Sequence, residues 1–226
     1  FQGFTEELYG CIPVVTANAS HNSWDWGEDV QWVPNDTRSF SYCVDQGDYW
    51  KWVGVGDNYG WLRTGGKPAS GDPKDGKGAL WGLSWYGIRK ANIGLANLDK
   101  LTQATTEERN LIEGQLYFFR GWFHFMLMQF WGGLPYVDEV LPSDEVLKRA
   151  RLTYRETADK ASEDFRKAAA LLPLDWDETT VGKQTVGKNN IRINKIMALA
   201  YLGKNELWAG SPLMSGDVNA QTTAYN

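Results

Sequence analysis

The sequence is poor in the residues from which metal and redox sites are usually built. Its 226 residues include two cysteines, Cys11 and Cys43, and two histidines, His21 and His124. The cysteine spacing matches no zinc-binding pattern, and two histidines offer little for a metal site. We therefore expect no metal and no cofactor. The cysteines could pair in a disulfide if the protein is exported; two separate buried thiols are the equally open alternative.

The chain also lacks an excess of positive charge. Lys and Arg number 23 against 28 Asp and Glu, so the formal net charge is -5. This balance gives no excess of basic residues of the kind that attracts nucleic acid or an anionic membrane surface, and we expect no nucleic-acid partner. The sequence begins at Phe1 without a start methionine or a leader-like segment. We expect it to be an internal piece of a longer protein.

A long apolar run without polar interruption is missing as well. The most apolar stretch, LIEGQLYFFRGWFHFMLMQFWGGLPYV at 111–137, holds nine aromatic residues but also Arg120, His124 and Gln129. In a membrane-spanning helix of about 20 apolar residues, these polar groups would lie near the middle. A buried helix of a water-soluble protein fits better. There we expect Arg120 and His124 to be satisfied core groups that bind helix ends or Glu113, with a functional site as the alternative.

Two stretches of the sequence invite a nucleotide-binding or a catalytic interpretation. GVGDNYG at 54–60 has the wrong spacing for a dinucleotide loop and no strand–turn–helix unit around it. The carboxylates of WDWGED at 24–29 could be the acid and base of a glycoside hydrolase, but close neighbours of this kind are more often solvated turn residues. We predict no enzymatic activity and keep a hydrolase as a rival.

The composition changes near residue 79. Residues 1–78 are rich in Trp, Gly, Asp and Asn, and their last part, 64–78, consists of turn formers and charged residues. From residue 79 onward, apolar residues recur at steps of three and four, which predicts four helices at 79–100, 106–131, 154–172 and 190–209.

Each predicted helix has its own apolar face and end signals. In the helix at 79–100 the face is formed by Trp81, Trp85, Ile88, Leu95 and Leu98, and in the helix at 106–131 by Ile112, Leu116, Phe119, Phe123, Met126 and Phe130. In the helix at 154–172 it is formed by Tyr154, Ala158, Ala161, Phe165, Ala168 and Leu172, and in the helix at 190–209 by Ile193, Met197, Ala200 and Leu207. Thr105 with Glu108, and Thr153 with Glu156, predict capping boxes. Gly132, Gly133 and Pro135 predict the end of the second helix, and Pro173 predicts the end of the third.

Successive helix pairs with interlocking small and large residues are typical of tetratricopeptide repeats. Because the pairs are spaced more widely than the regular period, we predict a mostly α fold of irregular tetratricopeptide-like helical hairpins with long loop insertions. The predicted divisions are a Trp/Gly-rich loop region at 1–78, a helical scaffold at 79–214, and the start of a further C-terminal part at 215–226.

The helical stretches also carry a family pattern. The stretch at 113–137, EGQLYFFRGWFHFMLMQFWGGLPYV, resembles the signature helix of the SusD/RagB family. The family pattern has an acidic residue, an aromatic-Arg core, later aromatic residues and a Gly-x-Pro exit. The matching residues here are Glu113, Phe119-Arg120, Phe130 and Gly133-Leu134-Pro135. Gly121 stands where the family usually has Ala. The stretches at 151–173 and 187–214 are similar to the next family helices, with Phe165 in place of Leu and Asn194-Lys195 in place of an Ala pair.

The resemblance implies a function. SusD/RagB proteins are outer-membrane nutrient-binding lipoproteins of Bacteroidota that bind carbohydrate without catalysis. They are surface-exposed, held by an N-terminal lipid, and cover a TonB-dependent, SusC-like transporter. We accordingly expect an oligosaccharide or polysaccharide ligand and a lipid-bearing cysteine upstream of Phe1. A helical-repeat scaffold that binds only proteins is the alternative.

The loop region has the composition of a sugar site. Aromatic rings cover the C–H face of a sugar, while neighbouring amides, carboxylates and guanidinium groups bind its hydroxyls. Two segments combine these residue types, and they supply the candidate ligand-binding residues Trp50, Trp52, Asp57, Asn58, Tyr59, Trp61 and Arg63, together with Trp24, Trp26 and Trp32. The alternative is that most of these tryptophans simply cover the helical scaffold.

Overall fold

The computed structural model describes residues 2–12, 80–142 and 149–215. Within these ranges the α-helices are α1 (Gln2–Tyr9), α2 (Leu80–Ala96), α3 (Thr106–Trp131), α4 (Tyr154–Leu171), α5 (Lys195–Ala209) and α6 (Pro212–Ser215). The same ranges contain three short 3-10 turns, at Leu98–Lys100, Trp176–Glu178 and Gly182–Thr185. No strand occurs within the described ranges, and the predicted mostly α fold is confirmed.

The chain forms two compact units, Phe1–Leu8 with Gly87–Asn226, and Tyr9–Tyr86. Most described residues belong to the first unit. The predicted divisions at 1–78, 79–214 and 215–226 remain predictions, because residues 13–79 and 216–226 lie outside the described residues. Cys11 is buried, whereas Cys43 falls outside them.

The core is built around α3. Every residue from 114 to 128 except Tyr117 is buried, and the side chains of Leu116, Phe119, Phe123, Phe125, Leu127 and Met128 are fully enclosed. A helix that is apolar on most of its circumference must be surrounded by neighbours. Here α4 packs against both α3 and α5, and α5 also contacts α3. No helix among the described residues is long and apolar enough to cross a membrane.

Both predicted capping boxes are confirmed. The Glu108 amide donates to Thr105 Oγ1 at 3.2 Å, while the Thr105 amide donates back to the Glu108 carboxylate at 2.8 Å. Thr153 and Glu156 repeat this exchange at the start of α4. α3 ends at Gly132, whose φ of 73° is a conformation that glycine adopts without steric cost.

The apolar face predicted for α4 is also confirmed, since its six residues are all buried. Its small residues allow close packing: a Cβ added at Gly121 of α3 would lie 3.2 Å from the Ala161 carbonyl oxygen. Here the missing methyl group lets the two helix backbones approach.

The face predicted for α2 is largely wrong. Trp81, Trp85, Leu95 and Leu98 are only half-buried, whereas the enclosed residues of α2 are Leu80, Leu83, Ser84, Gly87, Ile88, Ala91, Asn92 and Gly94. The two tryptophans pack edge to face on each other at 5.5 Å. Periodicity misjudged this helix because both faces carry apolar residues, and because glycine and asparagine contribute to the buried one.

The start and the face predicted for α5 are also wrong. α5 begins at Lys195 rather than near residue 190, and Asn194 caps it by accepting from the Met197 amide at 2.9 Å. Met197 and Leu207, expected inside, are exposed by 37% and 49%. The buried side is small and polar, with Ala198, Asn205 and Ala209. Asn205 donates to the Ala158 carbonyl of α4 at 2.8 Å, which explains its burial.

Candidate ligand-binding site

The sequence-predicted ligand-binding residues all lie outside the described residues. These are Trp24, Trp26, Trp32, Trp50, Trp52, Asp57, Asn58, Tyr59, Trp61 and Arg63. Their role in binding stays a prediction. Within the described part, two other arrangements of polar side chains stand out: a buried cluster around Arg120, and a pocket at the start of α3.

The buried cluster joins Arg120 of α3 to Asp164 of α4. Arg120 Nε and Nη2 donate to the two carboxylate oxygens at 2.6 and 2.7 Å, and Tyr136 Oη donates to Asp164 Oδ2 at 2.6 Å. Burial disfavours the Arg120 charge, but the Asp164 carboxylate outweighs burial and raises the pKa of Arg120. Burial, together with the negative Asp164, raises the pKa of Tyr136 well above its ordinary value. The Arg120 guanidinium therefore stays charged and the Tyr136 phenol neutral.

The same cluster binds the chain that follows α3. Arg120 Nη1 donates to the Asp138 carbonyl at 3.1 Å and to Asn92 Oδ1 at 3.0 Å. Asn92 Nδ2 in turn donates to the carbonyls of Val137 and Glu139 at 2.9 and 3.1 Å. Side chains from α2 and α3 thus bind backbone carbonyls of this irregular segment. Backbone groups withdrawn from water need such partners.

His124 completes the cluster as a neutral imidazole. The Val137 amide donates to His124 Nε2 at 3.1 Å, so Nε2 is unprotonated, and Nδ1 lies 2.8 Å from the Arg120 carbonyl, to which its proton is donated. Burial lowers the pKa of His124 to about 3, although the bond to the Arg120 carbonyl opposes the shift.

The polar residues inside α3 thus have structural partners. The expectation that Arg120 and His124 are satisfied core groups is confirmed. Glu113 was the wrong partner: Arg120 pairs with Asp164, and His124 binds the chain after the helix as well as the Arg120 carbonyl.

A concave pocket of about 350 Å³ opens beside the first turns of α3. We call it the α3 pocket. One wall is the face of α3 that carries Glu108, Leu111, Ile112 and Gln115, which recur at helical spacing. The opposite wall comes from the segment 176–192, and Thr5 of α1 contributes to the lining.

The segment 176–192 is held by a dense set of hydrogen bonds around Asn189. Its Nδ2 lies 2.6 Å from Asp177 Oδ1 and 3.1 Å from the carbonyls of Gly182 and Thr185. Trp176 Nε1 donates to the Ile193 carbonyl at 2.8 Å. A Cβ at Gly182 would come within 1.7 Å of the Trp176 carbonyl oxygen, so only glycine fits that turn. This wall is therefore fixed by its own bonds.

The segment is also tied to neighbouring elements. The Thr180 amide donates to the Glu107 carboxylate of α3 at 3.1 Å. Arg192 forms an ion pair with Glu6 of α1 at 2.8 Å, and its guanidinium carbon lies 5.3 Å from the centre of the Trp176 ring. Trp176 itself is only 5% exposed. The ring supports the pocket rather than offering an open stacking platform.

The electrostatics of the α3 pocket are nearly balanced. Hydrogen bonds from the Thr105 amide and hydroxyl lower the pKa of Glu108, which keeps its carboxylate charged. The positive Arg192 is already paired with Glu6. No group of His, Cys, Asp and Glu within the described ranges could hold a metal ion. A more open depression of about 500 Å³ adjoins Trp176 and Asn189 and is lined by Asp175, Asn190 and Asn194.

Sequence reasoning did not find the α3 pocket. The rule used for the loop region, a tryptophan among Asp and Asn, also fits Asp175-Trp176-Asp177 and the nearby Asn189-Asn190. That signal was available. No sequence signal indicates that Gln103, Ile112 and Gln184 line one pocket, because they belong to separate elements that only the fold brings together.

Comparison with known proteins places this fold in a family. The model of the SusD-like family described as "Starch-binding associating with outer membrane" matches residues 37–204, well over half of the chain. The chain belongs to the SusD-like family. The resemblance inferred from the stretches at 113–137, 151–173 and 187–214 is thereby confirmed.

Solved SusD-like structures share the fold. A SusD-like protein from Bacteroides fragilis aligns with all of this chain at 19% identity and a TM-score of 0.60. A SusD-like carbohydrate-binding protein from Bacteroides vulgatus aligns over 99% at 14% identity and a TM-score of 0.58. Surface glycan-binding protein A from Bacteroides uniformis aligns over 99% at 18% identity and a TM-score of 0.53.

The SusD-like chain is shorter than these proteins. It spans 37%, 42% and 44% of their respective lengths. At such low identities the likeness shows the fold alone. A comparison with curated proteins gave no match. The tetratricopeptide-like repeat character remains a prediction.

Proposed function

We propose that this SusD-like chain is part of a cell-surface glycan-binding lipoprotein of the outer membrane. It captures oligosaccharides or polysaccharides and delivers them to a SusC-like, TonB-dependent transporter. The observation that carries the proposal is the family match over residues 37–204, whose description combines starch binding with the outer membrane. The names of the B. vulgatus and B. uniformis structures, carbohydrate-binding and glycan-binding, support the same ligand class.

We propose binding without catalysis. The sequence has no nucleophile–base constellation and no phosphate loop. In the described part, the most polar enclosed groups are Arg120, Asp164 and His124, and all three are engaged in bonds that hold the fold together. Incubation with oligosaccharides should therefore release no new reducing ends. Release that is lost in Asp25→Asn or Glu28→Gln would favour a hydrolase instead.

We place the main sugar contacts on the tryptophans of the loop region. A ring stacked on one sugar face contributes on the order of 1 kcal/mol beyond area burial, so a short oligosaccharide should bind weakly. Several such contacts along a polymer raise the affinity through effective concentration. The candidates with the strongest polar surroundings in the sequence are Trp50, Trp52 and Trp61.

Calorimetry of the intact protein against a panel of polysaccharides tests this function. Binding of at least one glycan is expected, weakened in Trp50→Ala, Trp52→Ala or Trp61→Ala and retained in part by the matching Phe variants, which keep a ring. Thermal unfolding of each variant checks that the fold is unchanged. Equal binding by all three Ala variants would remove this loop from the site. No binding to any glycan would leave a protein-interaction scaffold as the better function.

Transfer to a transporter needs its own measurement. Co-purification of the intact protein with a SusC-like transporter from solubilised outer membranes is expected. Recovery of the transporter without this protein, under conditions that preserve other outer-membrane complexes, would contradict the partnership.

A further inference from the structure

We infer that the α3 pocket is a second ligand site on the helical scaffold, which takes a single neutral sugar residue or the end of a glycan chain. The inference rests on the proposed function for its ligand class and extends it to a different part of the molecule. The Trp-rich loops supply stacking rings, whereas this pocket supplies side-chain amides around an apolar floor.

The size of the pocket favours a small ligand. Its volume of about 350 Å³ lies near the lower end of the range for small-molecule sites, roughly 300 to 1,000 Å³. A polymer segment of several residues would exceed it. One sugar residue with its exocyclic groups is a better match, and the rest of a chain would extend into solvent.

The lining offers the bonds that hydroxyl groups need. Gln103 and Gln184 are exposed at the pocket, and their side-chain amides bond to no other residue of the described part. Each amide presents a donor and an acceptor, as does each sugar hydroxyl, so neighbouring hydroxyls can be bound in pairs. Leu111, Ile112 and Val181 supply the apolar surface for the C–H groups of the ring.

The charges of the pocket select against ionic ligands. An anion would meet the Glu108 carboxylate, while Arg192, the positive group among the described lining residues, is paired with Glu6 at 2.8 Å. A cation would find one carboxylate, which already accepts from the Thr105 amide and hydroxyl at 2.8 and 2.9 Å. A purely apolar ligand would displace water from the side-chain amides without replacing the hydrogen bonds that the water made. A neutral polyhydroxyl compound avoids all three conflicts.

The walls are ordered before any ligand arrives. The bonds of Asn189 and the Thr180–Glu107 contact fix the segment 176–192, and the capping box of Thr105 fixes the start of α3. Binding to a preformed site avoids the free-energy cost of ordering loops. This makes a weak but specific site for one sugar unit feasible.

The test uses the intact protein carrying Trp50→Ala, Trp52→Ala and Trp61→Ala, so that the loop region is weakened. Neutral hexoses, the corresponding disaccharides and a hexuronate are titrated while the Ile112 methyl and the side-chain amides of Gln103 and Gln184 are followed by NMR. We expect these signals to shift with neutral sugars at millimolar concentration and not with the hexuronate.

Two variants, each made in this triple-alanine protein, test whether the sugar binds in the α3 pocket. Gln103→Ala with Gln184→Ala should weaken binding at least tenfold, and Ile112→Trp, which fills the pocket, should abolish it. The matched controls are Gln129→Ala, near the other end of α3, and Leu199→Trp, on the exposed face of α5. Both controls should bind as the parent does.

The outcomes separate the two proposals. If the protein with native loops binds glycans but no neutral sugar shifts these signals, or if the pocket variants bind like the controls, the second site is overturned and the proposed function stands. A response to the hexuronate alone overturns the ligand class. If the protein with native loops binds no glycan of any length, the proposed function fails, and the site inferred from it fails too.

Discussion

At the scale of single residues, the polar groups of α3 show how a buried charge is tolerated. Arg120 is 6% exposed and Asp164 is 1% exposed, and the two form an ion pair through hydrogen bonds of 2.6 and 2.7 Å. Each charge has a partner with good geometry, and the remaining bonding capacity goes to Asn92, Tyr136 and the Asp138 carbonyl. Such a pair adds little net stability compared with apolar residues, but losing one partner leaves the other charge buried and unpaired.

We therefore predict that Asp164→Ala destabilises the protein by about 3–5 kcal/mol, measured by urea unfolding at neutral pH. The matched control is Asp159→Ala on the same helix, because Asp159 is half-exposed and pairs with Arg155 at 2.7 Å. An exposed pair of this kind contributes only about 0.2–1 kcal/mol. The double change Arg120→Met with Asp164→Leu should cost less than Asp164→Ala. Equal losses for Asp164→Ala and Asp159→Ala would contradict the role given to the buried pair.

At the scale of helices, glycine decides how closely neighbours pack. A Cβ on Gly87 of α2 would lie 2.2 Å from the Phe123 ring of α3, and one on Gly94 would lie 2.7 Å from the Leu116 methyl groups. Phe123 and Leu116 are fully enclosed. Gly203 of α5 is also in a helix, but nothing lies within 4 Å of the added atom.

Substitution by alanine should change the free energy of unfolding in opposite directions at Gly203 and at Gly87. Alanine favours a helix by about 1 kcal/mol over glycine, so Gly203→Ala should stabilise by up to that amount. Gly87→Ala gains the same helix preference but forces the Phe123 ring aside, and overpacking of this kind costs about 1–3 kcal/mol. We expect a net loss of stability for Gly87→Ala by thermal or urea unfolding. Stabilisation by both changes would show that α2 and α3 are packed more loosely than described.

The capping signals of α3 and α4 were predicted more accurately from sequence than the faces of α2 and α5. Thr105 and Thr153 cap their helices through bonds to residues three positions away, so the necessary information is local. The face of α5 depends on which neighbour it meets. Asn205 is buried because Ala158 of α4 offers it a carbonyl, whereas Ile196, on the same helix, is 60% exposed. No pattern within α5 contains that information.

At the scale of the whole molecule, local sequence patterns likewise do not predict which residues meet in a candidate site. The family and the mostly α fold were predictable because the helix 106–131 carries its own signature. The α3 pocket was not predictable, since Thr5, Ile112 and Gln184 are far apart in sequence and meet only through packing. The tryptophans proposed to bind sugar rest on composition, and the calorimetric test decides their role.

The stability of the whole molecule should depend on pH through His124. Its pKa is lowered to about 3 in the folded protein by burial, against about 6.5 for an ordinary histidine. Between these values the unfolded chain binds more protons than the folded one, so stability falls as the pH is lowered from 6.5 toward 3, by about 1.4 kcal/mol per pH unit from this group. His124→Gln, which stays neutral, should remove that contribution. Urea unfolding at pH 7, 6, 5 and 4 should therefore show the parent losing stability faster than the variant on acidification. Parallel profiles would mean that the imidazole is not held neutral between Arg120 and Val137.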